Sequence, residues 1–199
     1  VFIGLALADS RKLDVLKQMS IDDLANLEIS IVSGQPERFG DTAAAVFVVT
    51  TDDIRRSGAT TLAEALRMVP GLSVGRIDTS VWAISARGFQ SQGANKLLVM
   101  VDGRSVYNSL FSGMHWDAQD ILLQDIERIE VVRGPGSAVW GANAFSGVIN
   151  LITKSPKEMV GTRLTLGGGE IGTLYGSLSH AGVNGKLGSK LQAAYYEQD

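Results

Sequence analysis

Apolar residues recur with different periods along the chain, and this pattern divides the sequence into three parts. Near the amino terminus they are spaced three to five positions apart, at Leu13, Leu16, Ile21, Leu24 and Leu27. This spacing predicts one or two short helices within residues 10–31. Two glycines and a proline interrupt residues 33–41, which indicates a linker ahead of a compact domain.

The middle part begins with signals for two short helices. Thr50 precedes Asp53 by three positions, which is a capping pair for a helix that ends at Gly58. The same pattern recurs at Thr61 and Glu64, ahead of a second helix.

Short strands surround these helices. Runs of β-branched and other apolar residues predict them at Ala45–Thr50, Leu72–Val74, Ala83–Arg87, Leu97–Val101, Ile126–Arg133 and Gly147–Thr153. Asp102-Gly103 lies between Leu97–Val101 and Arg104–Tyr107, and this dipeptide predicts a hairpin with a type I′ turn. Short helices mixed among short strands indicate an α+β fold with a small mixed sheet.

After Pro156 the apolar period changes to two. Leucines alternate with other residues from Thr162 to Leu166 and from Leu174 to Ser179, and Leu191–Tyr196 continues the series after an Asn-Gly turn. Segments of roughly ten residues with this alternation are typical of antiparallel outer-membrane barrels. Because such barrels need about eight strands or more, we expect these segments to be the first strands of a longer protein.

Charge and cysteine content exclude several classes of protein. The chain has 18 lysines and arginines against 21 aspartates and glutamates, a formal charge of −3, so no nucleic-acid partner is expected. It has no cysteine, which excludes disulfides, thiolate metal sites and a cysteine nucleophile. The apolar stretches fall short of the ~20 residues that a membrane-spanning helix needs.

The first eight residues are mostly apolar and end in Ala6-Leu7-Ala8. Small residues at alternate positions suit signal peptidase, so we expect residues 1–8 to be the remnant of an export signal. A truncated apolar strand or a vector remnant is the alternative.

Sequence motifs that could indicate a cofactor or metal site lack the neighbouring residues or elements that such sites require. Gly167–Gly172 matches a dinucleotide-binding fingerprint, but a predicted strand follows it where a helix is required. Gly134–Gly141 has the glycine spacing of a phosphate loop without the Lys-Ser/Thr that completes it. The two histidines, His115 and His180, have no companion ligands near them in sequence. We therefore expect no cofactor and no metal.

Asp117 and Asp120 are neighbouring carboxylates that could act as a pair in acid–base chemistry. A hydrolase that uses either residue is an alternative function. Three-residue spacing beside an aromatic residue is more often a solvated turn or the start of a helix, and we expect no catalytic residues and no enzyme.

Two arginines occupy equivalent positions. Arg87 and Arg133 each end a predicted strand and each precede a glycine. An unpaired charge beside apolar neighbours costs several kcal/mol, so each guanidinium needs a carboxylate. One interpretation is an internal pair of Arg133 with Glu127 or Glu130, and the other is an ion pair with another domain.

Eight motifs follow one another in a recognisable order. They are Val48–Ala59, Leu62–Leu66, Val69–Leu72, Ile84–Phe89, Val101–Gly103, Ile126–Gly136, Trp140–Ala142 and Gly147–Thr153. In this order they resemble the plug of TonB-dependent outer-membrane receptors, over about residues 41–154. The resemblance implies a gated transporter, in which the plug fills a 22-stranded barrel and helps to bind a scarce nutrient. The commonest such nutrient in the family is a ferric siderophore, and cobalamin, haem or a carbohydrate are the alternatives. It also implies three partners: the protein's own barrel in the outer membrane, the small-molecule ligand and the periplasmic C-terminal domain of TonB.

The resemblance assigns roles to particular residues. In the family, arginines of two Arg-Gly motifs meet glutamates on the barrel wall, so that role carries over to Arg87 and Arg133. The TonB-coupling box is matched loosely, without its threonine, by the residues Glu28, Ile29, Ser30, Ile31 and Val32. An extended β-branched segment adds a strand to a partner's sheet edge. A plain extended linker is the alternative for this segment.

Loops with aromatic and amide side chains are the expected ligand-facing surface. The residues concerned are Trp82, Phe89, Asn95, Tyr107, Phe111, His115 and Trp116. The expected domains are the signal remnant at 1–8, a helical segment and linker at 9–40, the plug at 41–154 and the first barrel strands at 155–199. A soluble periplasmic binding or signalling module with a plug-like fold is the competing function.

Overall fold

The structure is a computed structural model that describes residues 28–29, 37–38, 45–78, 81–88, 96–108, 113–116, 121–169 and 174–197. These residues fall into two compact units, one ending at Thr153 and one beginning at Lys154. Most of the helix predicted within 10–31 lies outside the described residues. After the last of its apolar positions, Leu27, residues Glu28–Ile29 form a short strand.

Strands dominate both units. In chain order they are β1 (Glu28–Ile29), β2 (Glu37–Arg38), β3 (Val46–Thr50), β4 (Leu72–Arg76), β5 (Trp82–Ala86), β6 (Leu97–Val101), β7 (Arg104–Ser105), β8 (Ile126–Arg133), β9 (Gly147–Thr153), β10 (Gly161–Gly168), β11 (Leu174–Asn184) and β12 (Leu187–Glu197). The α-helices are α1 (Thr51–Ser57), α2 (Leu62–Leu66) and α3 (Ser137–Trp140), and 3-10 turns lie at Leu123–Asp125, Ala142–Ala144 and Pro156–Glu158. The predicted bounds of β8 and β9 are confirmed.

The first unit is built on a five-stranded mixed sheet with the order β3-β8-β9-β6-β7. Strands β6 and β9 are parallel and the other neighbours are antiparallel. β4 and β5 form a separate antiparallel hairpin, and β1 pairs with β2. Short helices connect these strands, which confirms the predicted α+β class.

Apolar residues on both faces of this sheet are buried. One face carries Val49, Ile129 and Ile149 at 0% exposure, and α1, α2 and the β4–β5 hairpin contribute to the same cluster. The other face carries a smaller cluster that includes Met100 and Val132. Burial on both faces explains why these strands read as nearly continuous apolar runs.

Both helix starts follow the predicted capping chemistry. Thr50 and Asp53 form a reciprocal capping box at α1, and the helix ends at Gly58 in the left-handed conformation, with φ of 70°. Thr61 and Glu64 form the same box at α2. The two boxes satisfy backbone donors at helix starts that would otherwise lack partners.

The β6–β7 hairpin turns at Asp102 and Gly103, with φ of 49° and 76°, as a type I′ turn requires. The Asp102 carboxylate accepts hydrogen bonds from the backbone N–H and hydroxyl of Thr153, at 2.8 and 2.9 Å. The backbone N–H of Gly103 donates to Oδ1 of the buried Asn150 at 3.1 Å. These bonds tie the turn to β9 and hold the hairpin against the sheet.

The second unit is an antiparallel meander, β10-β11-β12. Its turn after Asn184 contains Gly185, with φ of 60°. Leucines on one face of the meander are 49–75% exposed: Leu164, Leu166, Leu174, Leu178, Leu187 and Leu191. On the opposite face of β11, Ser177 and Ser179 are buried. The apolar face of this unit is therefore exposed, and burial on the other face is confined to the middle of β11.

Substitution of Gly147 tests how closely strands β8 and β9 approach each other. A Cβ placed there would lie 2.6 Å from the carbonyl oxygen of Val132, and neither atom can move without shifting the backbone. Gly147→Ala is expected to lower the free energy of unfolding by about 2 kcal/mol, because overpacking at a backbone contact forces the strands apart. Chemical denaturation followed by circular dichroism measures the change.

Gly75→Ala is the matched control, since a Cβ there meets its nearest atom at 3.9 Å. It should change stability by less than about 0.5 kcal/mol. Equal effects of the two substitutions would contradict the close approach of β8 and β9.

Glu64 generates a pH-dependent prediction. Burial raises the pKa of Glu64, but hydrogen bonds from Thr60 and Thr61 and the charge of Arg67 together lower the pKa below the ordinary 4.5. Because the folded-state pKa is the lower one, the stabilisation is present above the unfolded-state pKa and is lost as pH falls through the folded-state pKa. Glu64→Ala should therefore cost about 1 kcal/mol at pH 7, and this cost should shrink in acid.

Glu64→Gln is the control because the amide oxygen still accepts hydrogen bonds but does not titrate. Thermal unfolding of the three proteins between pH 3 and pH 7 measures both effects. A Glu64→Ala cost that stays constant over this range would be evidence against the lowered pKa.

Candidate functional site

The two arginines of the Arg-Gly motifs lie next to each other. Arg87 follows β5 with φ of 58°, a left-handed conformation that costs a non-glycine residue about 1 kcal/mol. A Cβ placed on Gly134 would lie 3.8 Å from Nη2 of Arg87. The Arg87 guanidinium therefore lies beside the residue that directly follows Arg133.

Arg133 ends β8 and reaches the turn before β4. Its Nη1 donates to the carbonyl oxygen of Pro70 at 3.0 Å. Its Cδ and Nη1 each lie 3.4 Å from where a Cβ on Gly71 would sit. The Nε of Arg133 is buried and has no hydrogen-bond partner in the described part of the chain. The turn thus holds the arginine without neutralising it.

The expected acidic neighbours of Arg133 are engaged elsewhere. Glu127 and Glu130 both form ion pairs with Arg128, whose Nε lies 2.9 Å from the fully buried Glu130. The alternative that paired Arg133 with Glu127 or Glu130 is therefore wrong. Arg128 lies five residues before Arg133 on the same strand, and there it faces Thr50 on β3 and Ile152 on β9.

Neither Arg87 nor Arg133 forms an ion pair within the described ranges. Two neighbouring cations repel each other. Arg133 is half-buried, which adds the cost of removing its charge from water, whereas Arg87 is exposed. The arrangement is suited to bind oxyanions such as carboxylates, which accept the paired N–H donors of guanidinium. We expect no chemistry beyond binding from these groups.

The residues predicted to face a ligand lie in different environments. Trp82 and Trp116 are 6% and 7% exposed and belong to the main apolar cluster, so the prediction that they are exposed loop aromatics is wrong. Trp82 is the first residue of strand β5, and Trp116 is part of the main buried apolar cluster. Tyr107 and His115 are half-buried at the two ends of a loop. Phe89, Asn95 and Phe111 lie outside the described residues.

Only part of the TonB-box segment is described. Glu28 and Ile29 are extended and pair with Arg38 and Glu37, respectively. Ser30, Ile31 and Val32 lie outside the described residues. The role of the segment stays a prediction.

Sequence reasoning missed two arginine contacts. The guanidinium carbons of Arg67 and Arg76 lie over the Trp82 ring, 5.4 and 5.5 Å from its centroid. Arg76 is the direct cross-strand partner of Trp82, which the hairpin pattern could have indicated. Arg67 comes from α2, and no local signal predicts its contact.

Where residues are described, no three histidine, aspartate or glutamate side chains gather as a metal site. No helix in the same ranges is long and apolar enough to cross a membrane.

Comparison with known proteins identifies relatives of this chain. The family model described as "TonB-dependent Receptor Plug Domain" matches residues 39–148, more than half of the chain. The vitamin B12 transporter BtuB of Vibrio vulnificus is 35% identical over 131 residues, covering 65% of this chain and 21% of BtuB. The ferric enterobactin receptor PirA of Pseudomonas aeruginosa is 29% identical over 174 residues, covering 82% of this chain and 23% of PirA.

Solved structures show the same fold. The pyoverdine outer membrane receptor FpvA of Pseudomonas aeruginosa, bound to pyoverdine, superposes with a TM-score of 0.70 at 24% identity, over 86% of this chain and 24% of FpvA. The siderophore receptor PirA gives a TM-score of 0.57 at 28% identity, over 80% of this chain and 30% of PirA. This chain thus spans about a fifth of the length of the curated relatives that it matches.

The unpaired arginines generate a stability prediction. Replacing Arg87 and Arg133 together by methionine should leave the free energy of unfolding of the 199-residue chain within about 1 kcal/mol, or raise it, because two uncompensated charges are removed. A urea titration measures the change.

Arg128→Met is the matched control, because it leaves the buried Glu130 without its ion pair. It should cost about 3 kcal/mol or more. A comparable loss in the Arg87→Met/Arg133→Met variant would reveal that the two arginines are neutralised inside this chain.

Proposed function

This chain belongs to the TonB-dependent receptor plug family, and from that membership we propose that it is the gate and the first wall strands of an outer-membrane active transporter. The plug occupies the barrel, and release of the plug opens a path for a scarce nutrient bound from outside. Residues 1–8 are proposed to be the remnant of the signal that directs export. No enzymatic activity is proposed, since the curated relatives carry the names of a transporter and a receptor.

The observation that carries the proposal is the pair of guanidinium groups at Arg87 and Arg133. Both belong to the plug unit, and neither has a carboxylate partner among the described residues. Glutamates on the inner wall of a barrel would supply the missing charge. Such ion pairs would hold the plug in place with directional bonds.

The meander supports a barrel in the outer membrane. Its six leucines on one face are exposed, whereas Ser177 and Ser179 on the other face are buried. Strands of a membrane barrel place apolar residues toward lipid and polar ones toward the lumen. Strands β10 and β12 each have one edge without a strand partner in the described ranges. Further barrel strands would pair with those edges.

The proposed ligand is a small iron chelate. Among the relatives, PirA is named as a ferric enterobactin receptor and FpvA was solved with pyoverdine. BtuB is named as a vitamin B12 transporter, which makes cobalamin the second ligand class. Tyr107 and His115, half-buried at the loop between β7 and β8, are proposed as ligand-facing side chains.

Coupling is proposed to occur through Glu28–Val32 and the periplasmic C-terminal domain of TonB. The described part of this segment, Glu28–Ile29, is already extended. One of its edges pairs with β2, and among the described strands nothing pairs with the other. A partner strand added at that edge would make backbone hydrogen bonds, which is how an extended segment is recognised.

The coupling segment provides the test of the proposed function. In the full-length protein, Ile29→Pro or Ile31→Pro should leave ligand binding at the cell surface intact and reduce ligand import to the level of cells without TonB. Proline removes a ladder donor and fixes φ, so the added strand cannot form. Import of labelled ferric chelate by whole cells measures the effect.

Ser30→Ala is the control, because it keeps the backbone donors and should import normally. Normal import by both proline variants would move the coupling box elsewhere in the segment before Pro36. A full-length protein that lacks a barrel and binds ligand in the periplasm would favour a soluble binding module over a transporter.

A further inference from the structure

Two hairpins turn at a glycine that directly follows an asparagine or an aspartate. Asp102 precedes Gly103 between β6 and β7, and Asn184 precedes Gly185 between β11 and β12. All four residues are exposed. The second pair is the only Asn-Gly dipeptide in the sequence. Because glycine has no Cβ, its backbone nitrogen can closely approach the side chain that precedes it. Both turns therefore place a backbone nitrogen next to a side-chain carbonyl carbon.

This arrangement permits ring closure along the chain. In deamidation, the backbone nitrogen of the glycine attacks Cγ of the asparagine, a C–N bond forms, and the side-chain amide leaves as ammonia together with the proton of the glycine nitrogen. Water then opens the cyclic succinimide at either carbonyl and gives aspartate or isoaspartate. This chemistry makes asparagine a thermolabile residue. An aspartate forms the same ring more slowly by losing water. Either reaction needs a free backbone nitrogen and a free side-chain carbonyl.

The turn at Asp102 and Gly103 has neither group free. The Asp102 carboxylate accepts hydrogen bonds from the backbone N–H and the hydroxyl of Thr153, at 2.8 and 2.9 Å. The backbone N–H of Gly103 donates to Oδ1 of Asn150 at 3.1 Å, and Asn150 is only 2% exposed. Strand β9 therefore holds the nitrogen and the side chain of this turn apart.

The turn at Asn184 and Gly185 has both groups free. Asn184 pairs with Leu187 at the closed end of the β11–β12 ladder, and Gly185 is the first of the two loop residues, with φ of 60°. Within the described ranges, neither the Asn184 side-chain amide nor the Gly185 backbone N–H has a hydrogen-bond partner. No neighbouring residue thus restrains the two reacting groups.

We propose that Asn184-Gly185 is a site of spontaneous deamidation, in which water is the only co-reactant. The contacts with β9 protect Asp102-Gly103 from the equivalent reaction. Deamidation replaces a neutral amide by a carboxylate, so the formal charge of the chain falls by one unit from −3. The reaction involves only groups of this chain and does not rest on the proposed function.

The isoaspartate product would also change the hairpin. Its main chain runs through the side-chain carbon, which adds a methylene group to the backbone ahead of the loop. The length and type of the loop set the register of a hairpin. Because Asn184 pairs with Leu187 next to the loop, the Leu187 amide should exchange hydrogen faster in the isoaspartate form than in the unmodified chain.

Ageing of the 199-residue chain at mildly alkaline pH tests the proposal. In native buffer the chain should convert into a species with one more negative charge, which ion-exchange chromatography resolves. Peptide mapping by mass spectrometry should assign aspartate and isoaspartate to Asn184 and leave Asn143 and Asn150 unchanged, because Ala144 and Leu151 follow them. Asn184→Gln should abolish the acidic species, since the longer side chain would have to close a larger ring that forms more slowly.

Asp102→Asn is the matched comparison, because it places the same dipeptide in the restrained turn. The side-chain oxygen still accepts from the Thr153 backbone N–H, and the Gly103 N–H still donates to Asn150. In native buffer, deamidation at position 102 should be at least about tenfold slower than at position 184, since these hydrogen bonds have to open before the ring closes. In concentrated urea the two positions should react at similar rates.

Three results would each overturn the proposal: no acidic species from the native chain, an undiminished acidic species from Asn184→Gln, or equal rates at the two positions in native buffer. Circular dichroism checks that Asp102→Asn folds. If it does not fold, the unchanged chain gives the same comparison, because isoaspartate at Asp102 should accumulate in urea and not in native buffer. Equal accumulation under both conditions would contradict protection by β9.

Discussion

Uncompensated positive charge at Arg87 and Arg133 is the constraint around which the first unit is arranged. The left-handed backbone at Arg87 costs about 1 kcal/mol, and a partly buried charge costs more. Both costs are offset by the sheet, where Ile129 and Ile149 lie fully buried one and two strands from the edge. The turn at Pro70 and Gly71 gives Arg133 a carbonyl acceptor but no negative charge. The fold therefore accommodates two guanidinium groups that have no carboxylate partner among the described residues.

Elements that depend on local chemistry were predictable from the sequence. Strand β8 is a run of eight residues closed by Gly-Pro-Gly, and its predicted bounds agree with the structure. The capping boxes at Thr50 and Thr61 need only residues three positions apart, and the Asp102-Gly103 turn needs only its own dipeptide. In each case the hydrogen-bond donor and acceptor are close in sequence, so pattern and structure coincide.

Contacts that depend on tertiary packing were not predictable. Glu130 pairs with Arg128 and not with Arg133, although both arginines are on the same strand. Residues 128 and 130 point to the same face of the sheet, whereas 133 points to the other. Trp82 was expected in an exposed loop, but it lies in strand β5, and its buried ring is covered by the guanidinium groups of Arg67 and Arg76. These outcomes follow from which elements meet in space, and spacing along the chain does not encode that.

A gate of the proposed kind has to detach from the barrel wall without unfolding. The distribution of apolar and charged side chains meets both requirements. Apolar surface holds the first unit together from within, since both faces of its sheet are buried. A gate held to its wall by apolar surface would release only at the full cost of exposing that surface to water. When the gate moves, the proposed ion pairs of Arg87 and Arg133 with wall carboxylates would separate, and water would solvate the charges. Because the free energy of hydration offsets most of the Coulomb attraction that is lost, separating such a pair costs far less than that attraction. Buried apolar side chains would thus keep the gate folded, and the guanidinium groups of Arg87 and Arg133 would hold it closed.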